Sequence, residues 1–419
     1  MTLASEVAGS AEGRAALRRS RIAVSAVFLL YGTLLGAWTS RIPAIKRGLD
    51  LSDGQLSVAL LAFAAGAITG MQVSGRLVDR HGSARIMIVV AVADAAVLVS
   101  PAYANSLAVL AGCLYVFGGV HGTLNVAMNA RAVQVQRAWQ QVRQRPIMSS
   151  FHAVYSIGGF VGATAGGLAA RTHLTPRTTF VLVAAGVAVT ALAASRWSAL
   201  TVAGETPGSD GGTGRGRLVL PGVTFLGVLV FCCLVGEGAA ADWSTVYLRD
   251  SLDASPGFAA AGYAAFALMM TAGRLVGDRL AARLGPVPLV RWSALIAAAG
   301  LTAALLVNRP VAGVAGWGCL GAGLSCIAPQ VFSAAGNRDP ARAGQAIARV
   351  ASLGFLGFLI GPVVIGAAAT ALNLPTALAI PAILALFVAA AAPALRTPDT
   401  PVPAPPSGDA GTGRGTAVS

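Results

Sequence analysis

The chain has 419 residues, of which 55% are hydrophobic and 11% charged, with a net charge of +14. A mean hydropathy of +0.71 excludes an ordinary water-soluble domain, in which about a quarter of residues carry charge. Nucleic-acid binding is excluded as well, because a phosphate-binding surface gathers its basic residues in one patch or stripe, whereas these arginines are dispersed between apolar stretches.

Residues 1–20 have no sustained apolar periodicity and read as a disordered N-terminal segment. Within them, Leu17-Arg18-Arg19-Ser20-Arg21 precedes an apolar run, as in a twin-arginine export signal. That run is too long for such a signal and lacks a small-residue cleavage site. A helix needs roughly 20 apolar residues to cross a ~30 Å hydrocarbon core, and suitable windows follow at residues 22–40, 56–75, 85–104, 107–129, 147–169 and 178–195. Residues 196–217 are rich in Gly, Thr, Ser and charge, the composition of a flexible linker. Six further windows lie at 221–247, 257–276, 287–307, 311–334, 344–368 and 376–395, and residues 397–419 read as a second disordered tail. The expected protein is therefore all-α and membrane-embedded, with one six-helix bundle over 21–195 and another over 218–396.

The basic residues set the orientation. With the N-terminus inside, the outer junctions carry only Arg41, Lys46, Arg47, Arg171, Arg177, Arg249 and Arg309, while most other arginines fall in the tails and the inner junctions. Lys and Arg accumulate on the cytoplasmic side, so the chain is expected in the cell (inner) membrane, multi-pass, with both termini cytoplasmic. Cys113, Cys232, Cys233, Cys319 and Cys326 all fall within spans without metal-ligand spacing and read as small packing residues.

The two halves repeat each other. Gly75-Arg76-Leu77-Val78-Asp79-Arg80 closes the second window, and Gly273-Arg274-Leu275-Val276, followed by Gly277-Asp278-Arg279, closes the eighth. A weaker echo pairs Ser156-Ile157-Gly158 with Ser352-Leu353-Gly354. Duplication accounts for both. The glycine runs Gly158-x-x-x-Gly162-x-x-x-Gly166 and Gly354-x-x-Gly357-x-x-x-Gly361 permit close backbone approach between helices of one bundle, and Pro43, Pro329 and Pro362 are expected to soften theirs.

Residues 75–82, Gly-Arg-Leu-Val-Asp-Arg-His-Gly, resemble the loop signature of the major facilitator superfamily, in which a Gly, an Asp-Arg pair and a later Gly join spans two and three. The resemblance covers roughly residues 20–395 and implies the major facilitator fold, twelve transmembrane helices in two pseudo-symmetric six-helix bundles. It also implies a conformational gate built from Gly75, Asp79, Arg80, Gly82, Arg131, Gly273, Asp278 and Arg279. In that gate Asp79 meets the start of span eleven near Ala343 with Arg131 as its ionic partner, and Asp278 meets the start of span five near Ile147. Such placements suit the partial positive charge at a helix N-terminus. Gly36-Ala37-Trp38, Arg41-Ile42-Pro43-Ala44-Ile45-Lys46, Asn125-Val126-Ala127-Met128-Asn129, Pro146 to His152, Gly236 to Ala239 and Ala241 to Ser244 resemble a bacterial group related to fucose permease-type sugar:proton symporters. The chain departs from that pattern at Asn125, where such proteins often carry an acid, and at Gln136, where the branch tends to carry Glu.

A charge at mid-bilayer costs on the order of 3 kcal/mol or more, so each intramembrane ionisable group is a functional candidate. Those here are Asp94, His121, His152, Glu237, Asp242 and Arg349. Glu237 leads, because an acid poised to exchange its proton on either side couples transport to a gradient; its alternative is a paired or neutral Glu bonding a neighbouring helix. Asp242 is the second coupling candidate or an interfacial acid beside Trp243. His152 is the third, or a hydrogen-bonding link between helices. Asn125 and Asn129 share a helical face and read either as ligands for sugar hydroxyls or as helix-to-helix contacts. Tyr31, Trp38, Gln330 and Arg349 complete the substrate candidates, with Arg349 alternatively a conformational lock. Asp94 reads as structural.

The resulting expectation is a secondary active transporter that moves a small polar solute, a sugar or related metabolite, by proton-coupled alternating access. A proton-driven exporter of drug-like or cationic compounds is the alternative within transport, and a membrane receptor or scaffold the alternative outside it. No enzyme is expected, since the spans carry no nucleophile-base pair, no His-Glu-x-x-His and no phosphate-binding G-x-x-x-x-G-K-[ST] segment. No metal or cofactor is expected, the partners being solute, protons and lipid, and the chain is read as a monomer.

Overall fold

The computed structural model describes residues 10–198 and 221–396. The expected linker beyond Ser198, the C-terminal tail from residue 397 and the first nine residues lie outside these. Among the described residues, twelve helical segments are long and apolar enough to cross a membrane. The first half holds α1 (Ala11–Gly48), α2 (Asp53–His81), α3 (Ser83–Leu98), α4 (Leu107–Arg143), α5 (Met148–Arg171) and α6 (Pro176–Ser198). The second holds α7 (Pro221–Val246), α8 (Pro256–Leu284), α9 (Pro286–Val307), α10 (Pro310–Leu324), α11 (Ile327–Arg338), α12 (Ala343–Ala371), α13 (Leu374–Ala377) and α14 (Ala379–Ala391). The tenth span is α10 with α11, and the twelfth is α13 with α14.

The helices outrun the apolar windows. Residues 11–20, expected to be disordered, form the first turns of α1, which is 38 residues long. Ala, Arg and Leu favour helix without needing lipid, and the Gly13 amide donates to the Ser10 hydroxyl at 3.0 Å, capping the start. A hydropathy window registers only the part of a helix that lies in oil. α4 likewise continues from the apolar window to Arg143.

Glycine sets the spacing within each bundle. A Cβ on Gly158 would lie 2.1 Å from the Leu29 carbonyl oxygen and one on Gly162 2.1 Å from that of Thr33, so α5 touches α1 backbone to backbone. In the second half a Cβ on Gly357 would lie 2.3 Å from the Phe231 carbonyl oxygen, placing α12 on α7 in the same way. Gly118 on α4 meets Phe63 of α2, and Gly321 on α10 meets Phe266 of α8. The two halves thus repeat their packing as well as their sequence, and the glycine runs lie inside the bundles. In lipid, where apolar contact with a neighbour replaces equally apolar contact with acyl chains, such close approach is a main source of cohesion.

The most enclosed spans are the first, seventh and tenth, whose apolar windows are 61–67% buried against 22–44% elsewhere. The tenth breaks at Ser325 and Cys326. Pro329 has no N–H to offer the Ser325 carbonyl and its ring crowds that position, which ends α10 and restarts the chain as α11. Pro43 and Pro362 sit inside continuous helices, so of the three prolines only this one interrupts its span.

Candidate functional site

α7 is apolar over nearly its whole length, and Glu237 lies in its middle. Its Oε1 accepts from Arg274 Nη2 on α8 at 3.4 Å and from Cys233 Sγ, one turn earlier, at 3.9 Å. The Arg274 side chain is 7% exposed and that of Glu237 21%. Arg274 Nη1 reaches into the other half and donates to Ser156 Oγ on α5 at 2.8 Å. Arg274, expected among the orienting arginines of the inner junctions, lies instead within a helix. α8 runs on to Leu284, which puts Arg274 about 15 Å inside the helix end, where a cation needs a partner.

Around this pair stand further polar groups of both halves. Glu237 and Arg274 lie within electrostatic reach of the Tyr155 hydroxyl, and Glu237 and Asp242 within reach of Tyr263. His152 packs edge-on to Phe28 at 5.4 Å and stacks on Phe332 of α11 at 5.9 Å, so it sits in the seam between halves. Arg274 Nε and Gln330 Nε2 are buried donors with no partner among the described residues, which equips this region to receive a ligand rich in oxygen acceptors.

The first half contributes a stacked polar cluster. Asn125 Nδ2 donates to the Tyr31 hydroxyl at 3.1 Å, and the Tyr31 ring lies parallel to His121 with centroids 3.8 Å apart. Behind it, His121 Nδ1 is 2.8 Å from Asp94 Oδ2, and both residues are buried. Asp94 is therefore half of an ionisable pair rather than an isolated structural acid. Asn129 shares the face of Asn125 but is fully enclosed and turns back, donating to the Asn125 backbone carbonyl at 2.9 Å. Of the two amides, only Asn125 is partly open.

Other candidates are more scattered. Trp38 is 2% exposed and wedged against Phe117 and Phe180, which leaves no ring face for a sugar. Asp242 is exposed on α7, and Arg349 is half-buried on α12. Arg41, one of the few outer-junction arginines, is buried and donates to the Leu174 carbonyl at 2.6 Å.

On the side of the bundle where the described residues begin and end, at Ser10 and Arg396, the two halves are tied together. Asp79 at the end of α2 accepts from the Gly344 amide at 2.7 Å, the Gln345 amide at 3.2 Å and Gln345 Nε2 at 3.0 Å, at the start of α12. Asp278 at the end of α8 accepts from the Ser149 and Ser150 amides at 2.8 and 2.9 Å, at the start of α5. Each carboxylate thus caps a helix of the opposite half. Gly75 lets α2 approach, since a Cβ there would lie 2.9 Å from Gln345 Cα, and Gly273 abuts Ser325 at the break in the tenth span. Gly82 turns the chain from α2 into α3 at φ +84, matched by Gly285 at φ +78 between α8 and α9. Arg131 is buried and bonds Gln134 at 3.3 Å, while Arg80 and Arg279 are exposed.

Three seam residues, Gln136, Arg137 and Ser156, are not marked as such by the sequence. Gln136 accepts from the Ile147 and Met148 amides at 3.0 and 2.8 Å and donates to Ser333 of the second half at 2.6 Å. Arg137 beside it donates to Asn337 and to the Gly336 carbonyl. In the sequence Gln136 is only a departure from a resemblance, and Ser156 only part of a repeat echo. No sequence signal marked either as a contact across the seam.

The profile of the Major Facilitator Superfamily matches residues 22–337 and 226–418. An uncharacterized transporter, y4wD, of Sinorhizobium fredii (strain NBRC 101917 / NGR234) is 34% identical over 89% of this chain and 97% of its own length. An uncharacterized MFS-type transporter of Yersinia pestis is 33% identical over 90% of this chain and 95% of its own. Among solved structures, FucP, the E. coli fucose:proton symporter, in its outward conformation superposes with a TM-score of 0.76, at 19% identity, over 90% of this chain and 98% of that one. The last likeness is one of fold.

Proposed function

This chain belongs to the major facilitator superfamily, a family of secondary transporters rather than enzymes, and on that premise we propose that it carries a small polar solute, a sugar or related metabolite, across the bacterial cytoplasmic membrane in step with protons. The observation that carries the reading is the ion pair of Glu237 and Arg274, because Arg274 also holds Ser156 of the opposite half. A proton on Glu237 removes the charge that balances Arg274, and the same guanidinium is part of the seam. Loading the acid therefore changes the contact between the halves, which is the link that gradient-driven alternating access requires.

Tyr31, Asn125, Tyr155 and Gln330 offer hydroxyl and amide groups suited to a polyhydroxylated solute, and the unbonded Arg274 Nε and Gln330 Nε2 suit its oxygens. The fold neighbour FucP is a fucose:proton symporter, which agrees with this solute class. The arginine beside Glu237 argues against a cationic drug as cargo, since it would repel one from the acid. With the termini cytoplasmic, the ties made by Asp79, Asp278, Gln136 and Arg137 close the inner side, and the state described is outward-facing.

The test is uptake of a sugar panel into proteoliposomes with and without an imposed pH gradient. Accumulation of one sugar that requires the gradient supports the proposal. Efflux of dyes with no sugar uptake under either condition overturns it.

A further inference from the structure

On the terminus-bearing side, a cleft of about 640 Å³ opens between the two halves. Its walls carry Arg21, Arg143 and Arg145 from the first half, and Asp278, Arg279 and Arg283 from the second. The volume is in the range of sites that accept molecule-sized ligands. Five guanidiniums face one carboxylate, and that carboxylate is already held by the Ser149 and Ser150 amides. Arg21 is braced with its guanidinium 4.6 Å over the Trp139 ring, another wall of the cleft. Orientation of the chain by positive charge requires arginines on this side; it does not require that arginines of α1, the end of α4, the turn after it and α8 converge from both halves on one hollow.

We propose that this cleft binds the phosphate of an anionic phospholipid, and that the bound headgroup favours the state in which the terminus-bearing side is shut. Arginine suits phosphate because its planar fork pairs two oxygens at once. A lipid is favoured as the source of that phosphate by what adjoins the cleft. Arg21 immediately precedes the first apolar run, and its neighbour Ile22 is 53% exposed. Beside Arg279 and Arg283 on α8 runs the exposed apolar stripe of Leu280 and Leu284. The basic hollow is thus continuous with surface suited to acyl chains, and basic pockets between helices at the headgroup level recognise such lipids. The conformational effect follows from linkage. A ligand that touches walls belonging to both halves binds best when the halves meet, and it must stabilise that arrangement to the same degree.

The test uses the full-length protein in nanodiscs and in detergent. Native mass spectrometry should show phosphatidylglycerol retained about tenfold more than phosphatidylcholine, with the preference lost in the Arg143→Gln, Arg145→Gln, Arg283→Gln variant. The preference should survive in Arg47→Gln, Arg171→Gln, which removes the same kind of charge from the opposite side and controls for folding. Hydrogen exchange at the Ser149, Ser150 and Gly344 amides, which the inter-half carboxylates hold, should be several-fold slower in phosphatidylglycerol than in phosphatidylcholine nanodiscs. Equal retention of the two lipids, a preference that persists in the cleft variant, or unchanged exchange each overturns the proposal. Displacement of the lipid by millimolar inorganic phosphate also overturns it, by making a soluble anion the ligand.

Discussion

Arg274 and Glu237 stand 3.4 Å apart on neighbouring helices, and the guanidinium continues to Ser156 in the opposite half. One cation therefore serves the buried acid and the seam together. Removing either charge alone leaves the other unbalanced in a low-dielectric setting, which is the costly way to break such a pair.

For this reason Glu237→Gln is expected to abolish accumulation driven by a pH gradient, reducing it by about tenfold or more, while exchange of solute across a membrane without a gradient continues. Transport assays in proteoliposomes under both regimes check this. Gradient-driven accumulation that survives at the parental level removes Glu237 from the coupling role.

Asp79→Ala deletes the acceptor that caps α12 from the other half. A lost cap costs about 1 kcal/mol, or roughly a fivefold shift, here toward the state open on the terminus-bearing side. Asp278→Ala should act alike through α5. Distances between spin labels placed on the two halves report the shift, and an unchanged distribution in both variants refutes a gating role for these carboxylates.

Packing predicts a contrast between two glycines of α5. A Cβ on Gly158 would fall 2.1 Å from the Leu29 carbonyl oxygen, while one on Gly167 meets nothing within 4 Å. Gly158→Ala should lower stability by about 1–3 kcal/mol through overpacking, and Gly167→Ala should leave it nearly unchanged. Thermal unfolding in detergent separates them; equal Tm values would mean that α1 and α5 do not pack this closely.

The Asp94 and His121 pair, 2.8 Å apart and buried, gives a fourth expectation. Asp94→Leu alone should cost about 3–5 kcal/mol, whereas Asp94→Leu combined with His121→Phe, which keeps a ring against Tyr31, should recover much of that loss. A double variant no more stable than the single one would show that the two side chains do not depend on each other.

A reporter that works only in the cytoplasm should be active when fused after Ser419. Activity there of a reporter that works only in the periplasm inverts the orientation on which the outward-facing assignment rests.

The bilayer made much of this architecture readable. Spans are visible because lipid demands an unbroken apolar length, and the duplicated Gly-Arg-Leu-Val segments revealed the two halves because the repeat survives at matched positions. Glu237 stood out for a similar reason, as an acid where acids are expensive. Its partner did not. Arg274 lies inside the repeated motif near an apolar boundary, so it read as a loop charge until the true length of α8 placed it within the helix. The ends of α1 and α4 were missed because helix propensity, unlike hydropathy, continues into water. Trp38 and Asn129 looked available from their residue type, yet whether a side chain faces a partner or an open space depends on the neighbouring helix, and that pairing leaves no local trace.

Gln136 spends its oxygen on the first two amides of the α5 entrance and its nitrogen on Ser333. All three bonds are made by an uncharged amide, which neither titrates nor attracts counterions. Acidification and added salt can therefore loosen the clasps formed by Asp79 and Asp278, but this fastening keeps its strength throughout, so that part of the closure is independent of the medium on either side of the membrane.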